Sequence, residues 1–300
     1  MLNIFYKKML VFLIFLDVDK VFILEYTKNM KKIAIITGAS SGMGKDFALE
    51  LCKNYQYLCI DQIWLIARRQ DKLFELSEQI KQIEGAPEAV CIPLDISGKE
   101  GAQKYNELLL QKARESSDKL EITVLINNAG FGTYGPFAET PVEREMEMID
   151  LNCTALTGIC GYSIPFMTEN SYIINTASMA AYSPLGNFAV YGATKAYVLS
   201  FTIALAAELK PQGIHVCALC PGSVSTEFAN IASNGARKEV LHGFSSVKTV
   251  QHCLRRAFKG KHVAILRLKW KFQHLGSHFV SRYKVADFTF KHSKRPYKHD

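Results

Sequence analysis

The strongest constraint on the fold is a repeated pattern: from residue 33 onward, short apolar runs alternate with longer amphipathic segments. This alternation is typical of strand–helix–strand units, which build a parallel β-sheet covered by helices on both faces. Seven apolar runs are predicted as strands, at residues 33–37, 63–67, 89–94, 122–126, 172–177, 214–220 and 262–266. We therefore predict an α/β fold in which a parallel sheet of about seven strands is flanked by helices.

The amphipathic segments between these runs are predicted as helices, at residues 42–54, 71–83, 99–114, 141–166, 188–209 and 247–258. Residues 223–247 have weak periodicity and are rich in Ser, Gly and Ala, which predicts a mobile loop or a small helical lid. The pattern predicts no element beyond Trp270. Because no linker divides the chain, we expect one domain over residues 30–270, with an N-terminal extension at 1–29 and a basic tail at 271–300.

Residues 1–29 form an apolar extension that charged residues interrupt. Eight apolar residues at 9–16 follow two lysines, and charges within 17–20 separate them from a second apolar stretch at 21–24. A spanning helix needs about 20 apolar residues, and no small-residue cleavage site of a signal peptide is evident. Because Met30 directly precedes the first strand, we expect it to be the native start; a weak membrane-surface anchor is the alternative.

The net charge of +8 is concentrated at the C-terminal end. Residues 251–300 hold thirteen Lys and Arg residues against two Asp residues, a net charge of +11, so the rest of the chain carries −3. A basic end can attract an anionic membrane surface, an acyl carrier or a phosphorylated substrate handle. A solvated, partly frayed terminus is the simpler interpretation. No motif that reads nucleic acid accompanies the charge, so we expect no nucleic-acid partner.

The eight cysteines are scattered through apolar segments and do not resemble the compact framework of a small secreted protein. Cys217 and Cys220 share a predicted strand, where residues three apart point to opposite faces. We therefore expect neither a disulfide nor a metal site. A reducing, cytoplasmic compartment follows, with peripheral membrane association left open.

A glycine-rich turn, Thr37-Gly38-Ala39-Ser40-Ser41-Gly42-Met43-Gly44, follows the first predicted strand and opens the first helix. Gly38, Gly42 and Gly44 allow the backbone to approach a pyrophosphate, and the helix N-terminus offers free N–H groups to its charge. A glycine-rich turn alone is a weak signal, but this strand–turn–helix context predicts a dinucleotide site.

Ser178, Tyr191 and Lys195 follow at intervals of thirteen and four residues. Residues four apart on a helix share a face, so Tyr191 and Lys195 can point at the same ligand. A free tyrosine titrates near ~10, and a neighbouring ammonium favours the phenolate. The pair can therefore move a proton near neutral pH, and beside a dinucleotide site it predicts a hydride-transfer enzyme.

Further motifs accompany these residues: NNAG at 127–130, Asn152, and PGxVxT at 221–226. Together with TGxxxGxG at 37–44 and YxxxK at 191–195, they resemble the short-chain dehydrogenase/reductase family in order and spacing, over roughly residues 31–266. The resemblance implies a Rossmann-type, doubly wound parallel sheet, in agreement with the pattern of apolar runs. It also implies homodimers or homotetramers that pack the two long helices against a second copy.

The resemblance implies a role for each catalytic candidate. Tyr191 would protonate the carbonyl oxygen during reduction, and Lys195 would assist it and bind the nicotinamide ribose. Ser178 would polarise the substrate oxygen, and Asn152 would hold a water that relays protons to the lysine. The residues expected to contact the cofactor are Gly38, Ser40, Ser41, Gly42, Met43, Gly44, Arg68, Arg69, Asp95, Asn128, Ala129, Gly130, Tyr191, Lys195, Pro221, Gly222, Val224 and Thr226.

The end of the second strand predicts which cofactor is bound. NAD-binding relatives usually place an acidic residue there for the ribose 2′-hydroxyl, whereas this strand ends Ala67-Arg68-Arg69. Two guanidiniums suit a 2′-phosphate, with help from Ser40 or Ser41. We therefore predict NADP(H); the alternative is that Arg68 and Arg69 merely begin an exposed helix.

The substrate is predicted only by class. Aromatic residues flank the motifs and are candidates for an apolar pocket: Phe131, Tyr134, Tyr182, Phe188 and Phe228. We predict an NADP(H)-dependent oxidoreductase that interconverts a ketone and a secondary alcohol on an apolar small molecule, such as a 3-oxoacyl or steroid-like carbonyl. An NADPH-sensing regulatory protein without turnover is the alternative, although such a binder has no need of the tyrosine.

Overall fold

The structure, a computed structural model, describes residues 30–238, 243–277 and 279–299; the extension predicted at residues 1–29 lies outside the described residues. Seven strands form its sheet: β1 (Met30–Thr37), β2 (Gln62–Ala67), β3 (Glu88–Pro93), β4 (Lys119–Asn127), β5 (Tyr172–Thr176), β6 (His215–Leu219) and β7 (Val263–Ala264). All neighbouring strands are parallel, in the order β3-β2-β1-β4-β5-β6-β7. The order reverses between β1 and β4, which makes the carboxyl ends of these strands the expected ligand position. The predicted doubly wound α/β fold is confirmed.

Helices cover both faces of this sheet: α1 (Gly42–Asn54), α2 (Gln70–Lys81), α3 (Gly98–Glu115), α4 (Val142–Ile149), α5 (Leu156–Ser163), α6 (Ala189–Leu209), α7 (Phe228–Ala232) and α8 (Ser246–Ala257). Side chains of β1 alternate between the two faces. Ile33 and Ile35 pack with α3, α5 and α6. Ala34 and Ile36 pack with α1, α2 and α8. Both faces of the sheet are therefore apolar core, as is typical of parallel sheets.

Residues 141–166, predicted as one helix, form α4, a π-helical turn at Asp150–Ala155, and α5. Asn152 lies in this turn, and its side chain binds the backbone of Phe131 in both directions. Its Nδ2 donates to the Phe131 carbonyl oxygen at 2.9 Å, and its Oδ1 accepts the Phe131 N–H at 3.1 Å. A π-turn widens the helix locally and is frequent at functional sites; here it coincides with the residue that reaches the loop after β4.

Two further helices lie at the C-terminal end: α9 (Leu268–Ser277), which contains Trp270, and α10 (Arg282–His292), beyond Trp270 where the pattern predicts no element. No residue of α10 is fully buried, which explains why its sequence shows no clear apolar period. Hydrogen bonds nevertheless join α10 to the backbone N–H of Gly186 and to the side-chain amide of Asn187. The interpretation of this end as a frayed terminus is therefore wrong for residues 282–299.

The segment between β6 and α8 contains the short helix α7, within residues 223–247 that the sequence predicts as a loop or a small helical lid. Residues 239–242 of that segment lie outside the described residues. The two cysteines near β6 point to opposite faces, as predicted: Cys217 packs with α1 and α8, and Cys220 packs with α6. All eight cysteines are free thiols.

By length and hydropathy, one helical stretch of the described residues, Ala189–Gln212, is apolar enough to cross a membrane. Half of its most apolar window is buried inside the protein. This stretch includes α6, whose buried side chains belong to the core beside β5 and β6. Packing within the fold therefore explains the buried half of this apolar stretch.

Candidate active site

The turn between β1 and α1 has a backbone that favours glycine. Gly38 and Gly42 have φ angles of 67° and 51°, a region that residues with a Cβ atom rarely adopt. At Gly44, a Cβ atom would lie 2.1 Å from the carbonyl oxygen of Gly38. The turn can therefore close tightly, and it presents the N-terminus of α1 to a cavity at the carboxyl edge of the sheet.

Hydrogen bonds join this turn to the loop after β4. The Thr37 hydroxyl accepts the backbone N–H groups of Asn128 and Ala129, both at 3.1 Å. The Asn128 amide donates to the carbonyl oxygens of Thr37 and Gly38 at 3.3 and 3.4 Å. This network holds the two loops in one position. Thr37 was not among the predicted site residues, although a threonine directly before the first glycine is a signal that could have indicated it.

The loop after β2 brings a guanidinium to the glycine turn. Arg69 donates to Ser41 Oγ at 2.7 Å and to Ser40 Oγ at 3.2 Å. It also forms an ion pair with Glu227, with an N–O distance of 3.1 Å. Both side chains of this pair are about half exposed, so the ion pair contributes little to stability and can yield to a ligand.

Arg68 and Asp95 lie on the same side of the cavity, at the ends of β2 and β3. Burial opposes ionisation of Asp95, but hydrogen bonds from Ser97 and the charge of Arg68 outweigh it and lower the pKa of Asp95. The carboxylate is therefore ionised at neutral pH. Arg68 and Arg69 together make this end of the cavity cationic, although Asp95 offsets part of that charge.

Asn152 and Lys195 approach each other across Gly130. A Cβ atom at Gly130 would lie 2.7 Å from Asn152 Oδ1 and 3.5 Å from Lys195 Nζ. Glycine at this position therefore leaves the amide and the ammonium close together. The Asn152 Nδ2 atom also donates to Thr194 Oγ1 at 3.1 Å, which ties the π-turn to α6.

Lys195 is almost fully buried, with 5% of its surface exposed. Its Nζ donates to the carbonyl oxygen of Thr176 at 2.7 Å. Burial lowers the pKa of Lys195 to about 8, because removing an ammonium from water disfavours its charged form. The group therefore titrates close to physiological pH. The Thr176 carbonyl was not among the predicted site groups, since a backbone acceptor leaves no signal in the sequence.

Tyr191 lies one helical turn before Lys195, and its ring stacks on Phe188 with a centroid distance of 4.1 Å. Burial raises the pKa of Tyr191, whereas a hydrogen bond with Ser178 and the charge of Arg295 lower it; burial prevails. The expectation that Lys195 lowers this pKa is not met. The ammonium lies 5.7 Å from the centroid of the Tyr191 ring and is directed to the Thr176 carbonyl instead.

The PGxVxT segment after β6 closes the cavity from the other side. The backbone N–H of Met179 donates to the Pro221 carbonyl oxygen at 2.9 Å. Gly222 is covered by the indole of Trp270, which a Cβ at Gly222 would meet at 2.2 Å. Thr226 lies against the glycine turn, 3.2 Å from the Cβ position of Gly42. Trp270 was not predicted as a site residue because it is distant in sequence from every motif.

The cavity enclosed by these groups has a volume of about 1430 Å³. The predicted site residues in its wall are Gly38, Ser40, Ser41, Gly42, Met43, Arg68, Arg69, Asp95, Asn128, Ala129, Gly130, Ser178, Tyr191, Lys195, Pro221, Gly222, Val224 and Thr226. The structure places the other two behind the wall: Gly44 packs on Gly38, and Asn152 lies behind Gly130. One cavity therefore brings the glycine turn to the Ser-Tyr-Lys residues.

Four of the five aromatic residues proposed for an apolar pocket line this cavity: Phe131, Tyr134, Phe188 and Phe228. Tyr182 does not. It packs on the core below the cavity, and its hydroxyl donates to Cys220 Sγ at 3.6 Å.

A family model described as short chain dehydrogenase matches residues 32–236, more than half of the chain. The chain belongs to the short-chain dehydrogenase/reductase family. This short-chain dehydrogenase/reductase is therefore an oxidoreductase of the class that acts on carbonyl and alcohol groups with a nicotinamide cofactor.

Two relatives of this short-chain dehydrogenase/reductase are a 3-oxoacyl-CoA reductase and a hydroxysteroid dehydrogenase-like protein. The very-long-chain 3-oxoacyl-CoA reductase of Pyrenophora tritici-repentis (strain Pt-1C-BFP) is 32% identical over 209 residues, which are 68% of this chain and 58% of that protein. The chain thus spans less than two thirds of that relative. The 11-beta-hydroxysteroid dehydrogenase-like 3 of Arabidopsis thaliana is 30% identical over 239 residues, 79% of this chain and 72% of that protein.

Among solved structures, a short-chain dehydrogenase from Sphingobium yanoikuyae in complex with NADPH is similar, with a TM-score of 0.68 and 26% identity. The match covers 83% of this chain and 93% of that chain.

Proposed function

We propose that this short-chain dehydrogenase/reductase uses NADP(H) to interconvert a ketone and a secondary alcohol on an apolar substrate. One observation carries the proposal: Ser178, Tyr191 and Lys195 line the same cavity as the glycine turn. The serine follows β5, and the other two lie on α6, so two adjacent elements deliver a hydroxyl, a phenol and an ammonium to one place. This convergence supports proton transfer beside a bound dinucleotide.

The residues around the glycine turn fit a dinucleotide that carries a 2′-phosphate. The turn is a cradle that a Cβ at Gly44 would obstruct, and α1 begins there, so its N-terminus suits a pyrophosphate. Arg68 and Arg69 supply cationic, forked donors that suit the 2′-phosphate. The NADPH in the Sphingobium yanoikuyae structure supports this choice. When bound, the cofactor supplies or accepts the hydride.

The proton is handled by the chain's own residues. Because burial raises the pKa of Tyr191, the phenol is held protonated and can donate its proton to a carbonyl oxygen. Ser178 interacts with Tyr191, and its hydroxyl would bind the same oxygen. Lys195, with its pKa lowered to about 8, is mostly charged at neutral pH and would stabilise the phenolate as it forms.

Asn152 is assigned to the next step of this proton path. Its Oδ1 and the Lys195 Nζ both lie close to the Cβ position of Gly130, so a proton can pass between the lysine and groups held by the asparagine. The π-turn and the hydrogen bonds to Phe131 keep that amide in place. We therefore propose that Asn152 positions the water that exchanges protons with Lys195.

The substrate side of the cavity is largely apolar. Its wall contains Phe131, Leu185, Phe188, Phe228 and Val285, so an alkyl chain or a fused-ring carbonyl would gain free energy by burial. Both relatives named above are consistent with such substrates, since one is a very-long-chain 3-oxoacyl-CoA reductase and the other is hydroxysteroid dehydrogenase-like. We propose a 3-oxoacyl or steroid-like carbonyl.

The compartment in which the protein acts and its oligomeric state are also proposed. Eight free cysteines suit a reducing compartment, and we propose a cytoplasmic location for the catalytic cavity, with peripheral membrane association open. We also propose a homodimer or homotetramer, because α4 and α6 expose apolar side chains.

The test is a panel of ketones and secondary alcohols, including 3-oxoacyl thioesters and ketosteroids, assayed with purified protein and each of NADPH and NADH. We expect NADPH to be consumed with at least one apolar ketone, and NADH to be used less efficiently. Tight NADPH binding without turnover of any panel member would favour the NADPH-sensing regulatory protein instead.

A further inference from the structure

The C-terminal segment docks on one wall of the cavity, the loop before α6. Gly186 donates its N–H to Thr289 Oγ1 at 2.8 Å. The Asn187 amide donates to the carbonyl oxygens of Phe290 and Ser293 at 3.0 and 3.2 Å. At Gly186 a Cβ atom would lie 2.4 Å from the Phe290 Cβ. The backbone of Gly186 therefore lies directly against that of Phe290, and this close contact fixes the position of the C-terminal segment.

The same segment also contacts the opposite wall, the loop that follows α7. Arg237 Nη2 donates to the carbonyl oxygen of Lys294 at 2.9 Å. The Asn234 amide donates to the Lys298 carbonyl oxygen at 2.9 Å, and the Lys298 N–H donates to the Ser233 carbonyl oxygen at 3.0 Å. Residues 289–298 thus bridge the two walls on the substrate side of the cavity.

This bridge brings four cationic side chains from two distant parts of the sequence to the cavity wall. They are Arg237, Lys238, Lys294 and Arg295, which we call the basic rim. The Arg295 guanidinium lies over the Phe188 ring, 5.0 Å from its centroid, and Phe188 stacks on Tyr191. The Phe188 ring therefore lies between Arg295 and Tyr191, whose phenol would donate the proton.

Among the described residues, no member of the basic rim forms an ion pair. Arg295 Nη1 donates to the Gly186 carbonyl oxygen at 3.0 Å, and its charge is otherwise met by an aromatic face. Burial lowers the pKa of Arg295, so the site bears a desolvation cost that an anion would relieve.

Three carboxylates among the described residues also line the cavity, and none of them forms an ion pair with the basic rim. Glu227 pairs with Arg69 beside the glycine turn, and Asp95 is held by Ser97 and Arg68. Glu147 belongs to α4. The cofactor end of the cavity therefore has mixed charge, whereas the wall formed by the C-terminal segment is cationic.

We propose that the basic rim binds an anionic group, a phosphate or a carboxylate, carried by the carbonyl substrate. This inference rests on the proposed function, since it describes how the same cavity selects its substrate. Guanidinium and ammonium groups favour such anions through charge-assisted hydrogen bonds. An apolar wall followed by a cationic mouth suits an amphipathic substrate, with its chain inside and its anion at the rim.

The anionic group would lie at different positions in the cavity for two kinds of substrate. A free oxo acid has its carboxylate a few bonds from the ketone, so it would use Arg295, the member next to Phe188 and Tyr191. A coenzyme A thioester has its phosphates at the end of a long arm, so it would use Lys238 and Lys294, which are exposed at the mouth. Both anions would be bound by charge-assisted hydrogen bonds from the basic rim. An experiment can distinguish the two kinds of substrate.

The experiment compares three substrates with one 3-oxoacyl chain: the coenzyme A thioester, the uncharged N-acetylcysteamine thioester and the free oxo acid. The variants are Lys238→Gln/Lys294→Gln and Arg295→Gln. The control is Lys284→Gln/Lys291→Gln, which removes two exposed lysines of α10 that are outside the cavity wall. The readouts are kcat/KM with NADPH, and calorimetric binding of coenzyme A and of the matching 3-hydroxy acid to the NADP-loaded protein.

With phosphate as the anion, the wild-type protein prefers the coenzyme A thioester to the N-acetylcysteamine thioester. Lys238→Gln/Lys294→Gln then lowers kcat/KM for the former about 3- to 30-fold, the range for two solvated ion pairs. With a carboxylate, Arg295→Gln lowers kcat/KM for the oxo acid at least about tenfold, as expected for a less exposed charged contact. In the first case the uncharged thioester is unaffected. In the second its kcat/KM falls less than that of the oxo acid, because the Arg295 charge also acts on Tyr191. The control variant is unaffected in both.

The inference is overturned if kcat/KM of the wild-type protein for the uncharged thioester equals its kcat/KM for both anionic substrates. It is also overturned if the control variant has the same effect as the rim variants. Failure of the proposed function looks different, because no substrate is then reduced. Calorimetry still decides the inference in that case: anion binding that the rim variants weaken supports it, and absence of anion binding contradicts it.

Discussion

At the scale of single residues, Lys195 has the clearest physical signature. Its buried ammonium has one carbonyl partner, Thr176, and its pKa is lowered from 10.5 to about 8. Below pH 8 both folded and unfolded states are protonated, and the folded state bears the cost of burying the charge. Between about pH 8 and 10.5 the folded state releases its proton first, so the free energy of unfolding rises with pH.

Replacing Lys195 with Met removes this titration. We predict that the wild-type free energy of unfolding, relative to that of Lys195→Met, rises by about 2–3 kcal/mol between pH 7 and pH 10. Urea denaturation at both pH values measures it. A difference that stays constant with pH would show that Lys195 has an ordinary pKa in the folded protein, and one that falls with pH would show a raised pKa. Either result would contradict the prediction.

Arg68 tests the choice of cofactor at the same scale. It lines the cavity at the end of β2 and acts on Asp95. Arg68→Asp replaces a cation with an anion where we place the 2′-phosphate, so we predict that KM for NADPH rises at least about tenfold more than KM for NADH. Steady-state kinetics with both cofactors measures this ratio. Lys53→Asp, an exposed change of the same charge on α1, is the control, and an unchanged ratio in Arg68→Asp would refute NADP(H) preference.

At the scale of elements, the docking of α10 depends on Gly186. A Cβ at this position would lie 2.4 Å from the Phe290 Cβ, and overpacked contacts cost about 1–3 kcal/mol. We predict that Gly186→Ala makes residues 282–299 open about tenfold more often, with the remainder of the fold intact. Hydrogen exchange of this segment measures the opening.

Gly161→Ala is the matched control for that prediction, because nothing lies within 4 Å of its Cβ position in α5. Equal protection of residues 282–299 in wild type and Gly186→Ala would mean that the segment is held by other contacts. It would also remove the geometric basis of the bridge between the cavity walls.

Local patterns in the sequence predicted the strands, the glycine turn and most of the helices up to residue 258, because each depends on residues close together in the chain. The π-turn at Asp150–Ala155 was not predictable, since it accompanies hydrogen bonds from Asn152 to Phe131 and Thr194. The position of Arg295 was not predictable for the same reason. Its partners Gly186 and Phe188 are more than a hundred residues away.

The candidate site shows the same division. The motif residues were predicted to share one region, and 18 of them line one cavity. Four groups of the site were not predicted: the Thr37 hydroxyl, the Thr176 backbone carbonyl, and the side chains of Trp270 and Arg295 near the C-terminus. Thr37 begins the TGxxxGxG motif, so its position carried a signal. The other three belong to no motif and acquire their places only through the fold.

At the scale of the whole molecule, α4 and α6 expose apolar side chains that a single copy leaves in solvent: Val142 50%, Met146 59%, Ile149 44% and Ile203 46%. Exposed apolar patches often mark interfaces. We predict that the protein is a dimer or tetramer and that Met146→Glu/Ile203→Glu shifts it toward monomer at least about tenfold in dissociation constant. Light scattering after size exclusion measures the mass.

Phe74→Glu is the control for the oligomer, since Phe74 is 50% exposed but lies on α2, away from α4 and α6. A monomeric wild type would contradict the prediction, and so would an oligomer that Met146→Glu/Ile203→Glu leaves intact while Phe74→Glu disrupts it.

The central claim is that the Tyr191 phenol transfers the proton to a substrate oxygen in the shared cavity. The measurement that tests it most directly is the rate of NADPH consumption with a ketone substrate, for wild type, Tyr191→Phe and Tyr197→Phe. Tyr197 is on the same helix, is 43% exposed, and its hydroxyl bonds Thr157 at 2.8 Å outside the cavity. NADPH affinity is measured for each protein by fluorescence titration.

We predict that Tyr191→Phe lowers kcat by about 10²–10⁴-fold, the usual contribution of general acid–base catalysis, with NADPH affinity unchanged. Tyr197→Phe is predicted to keep the wild-type rate. If Tyr191→Phe reduces the ketone as fast as Tyr197→Phe while both bind NADPH normally, the phenol of Tyr191 does not transfer the proton.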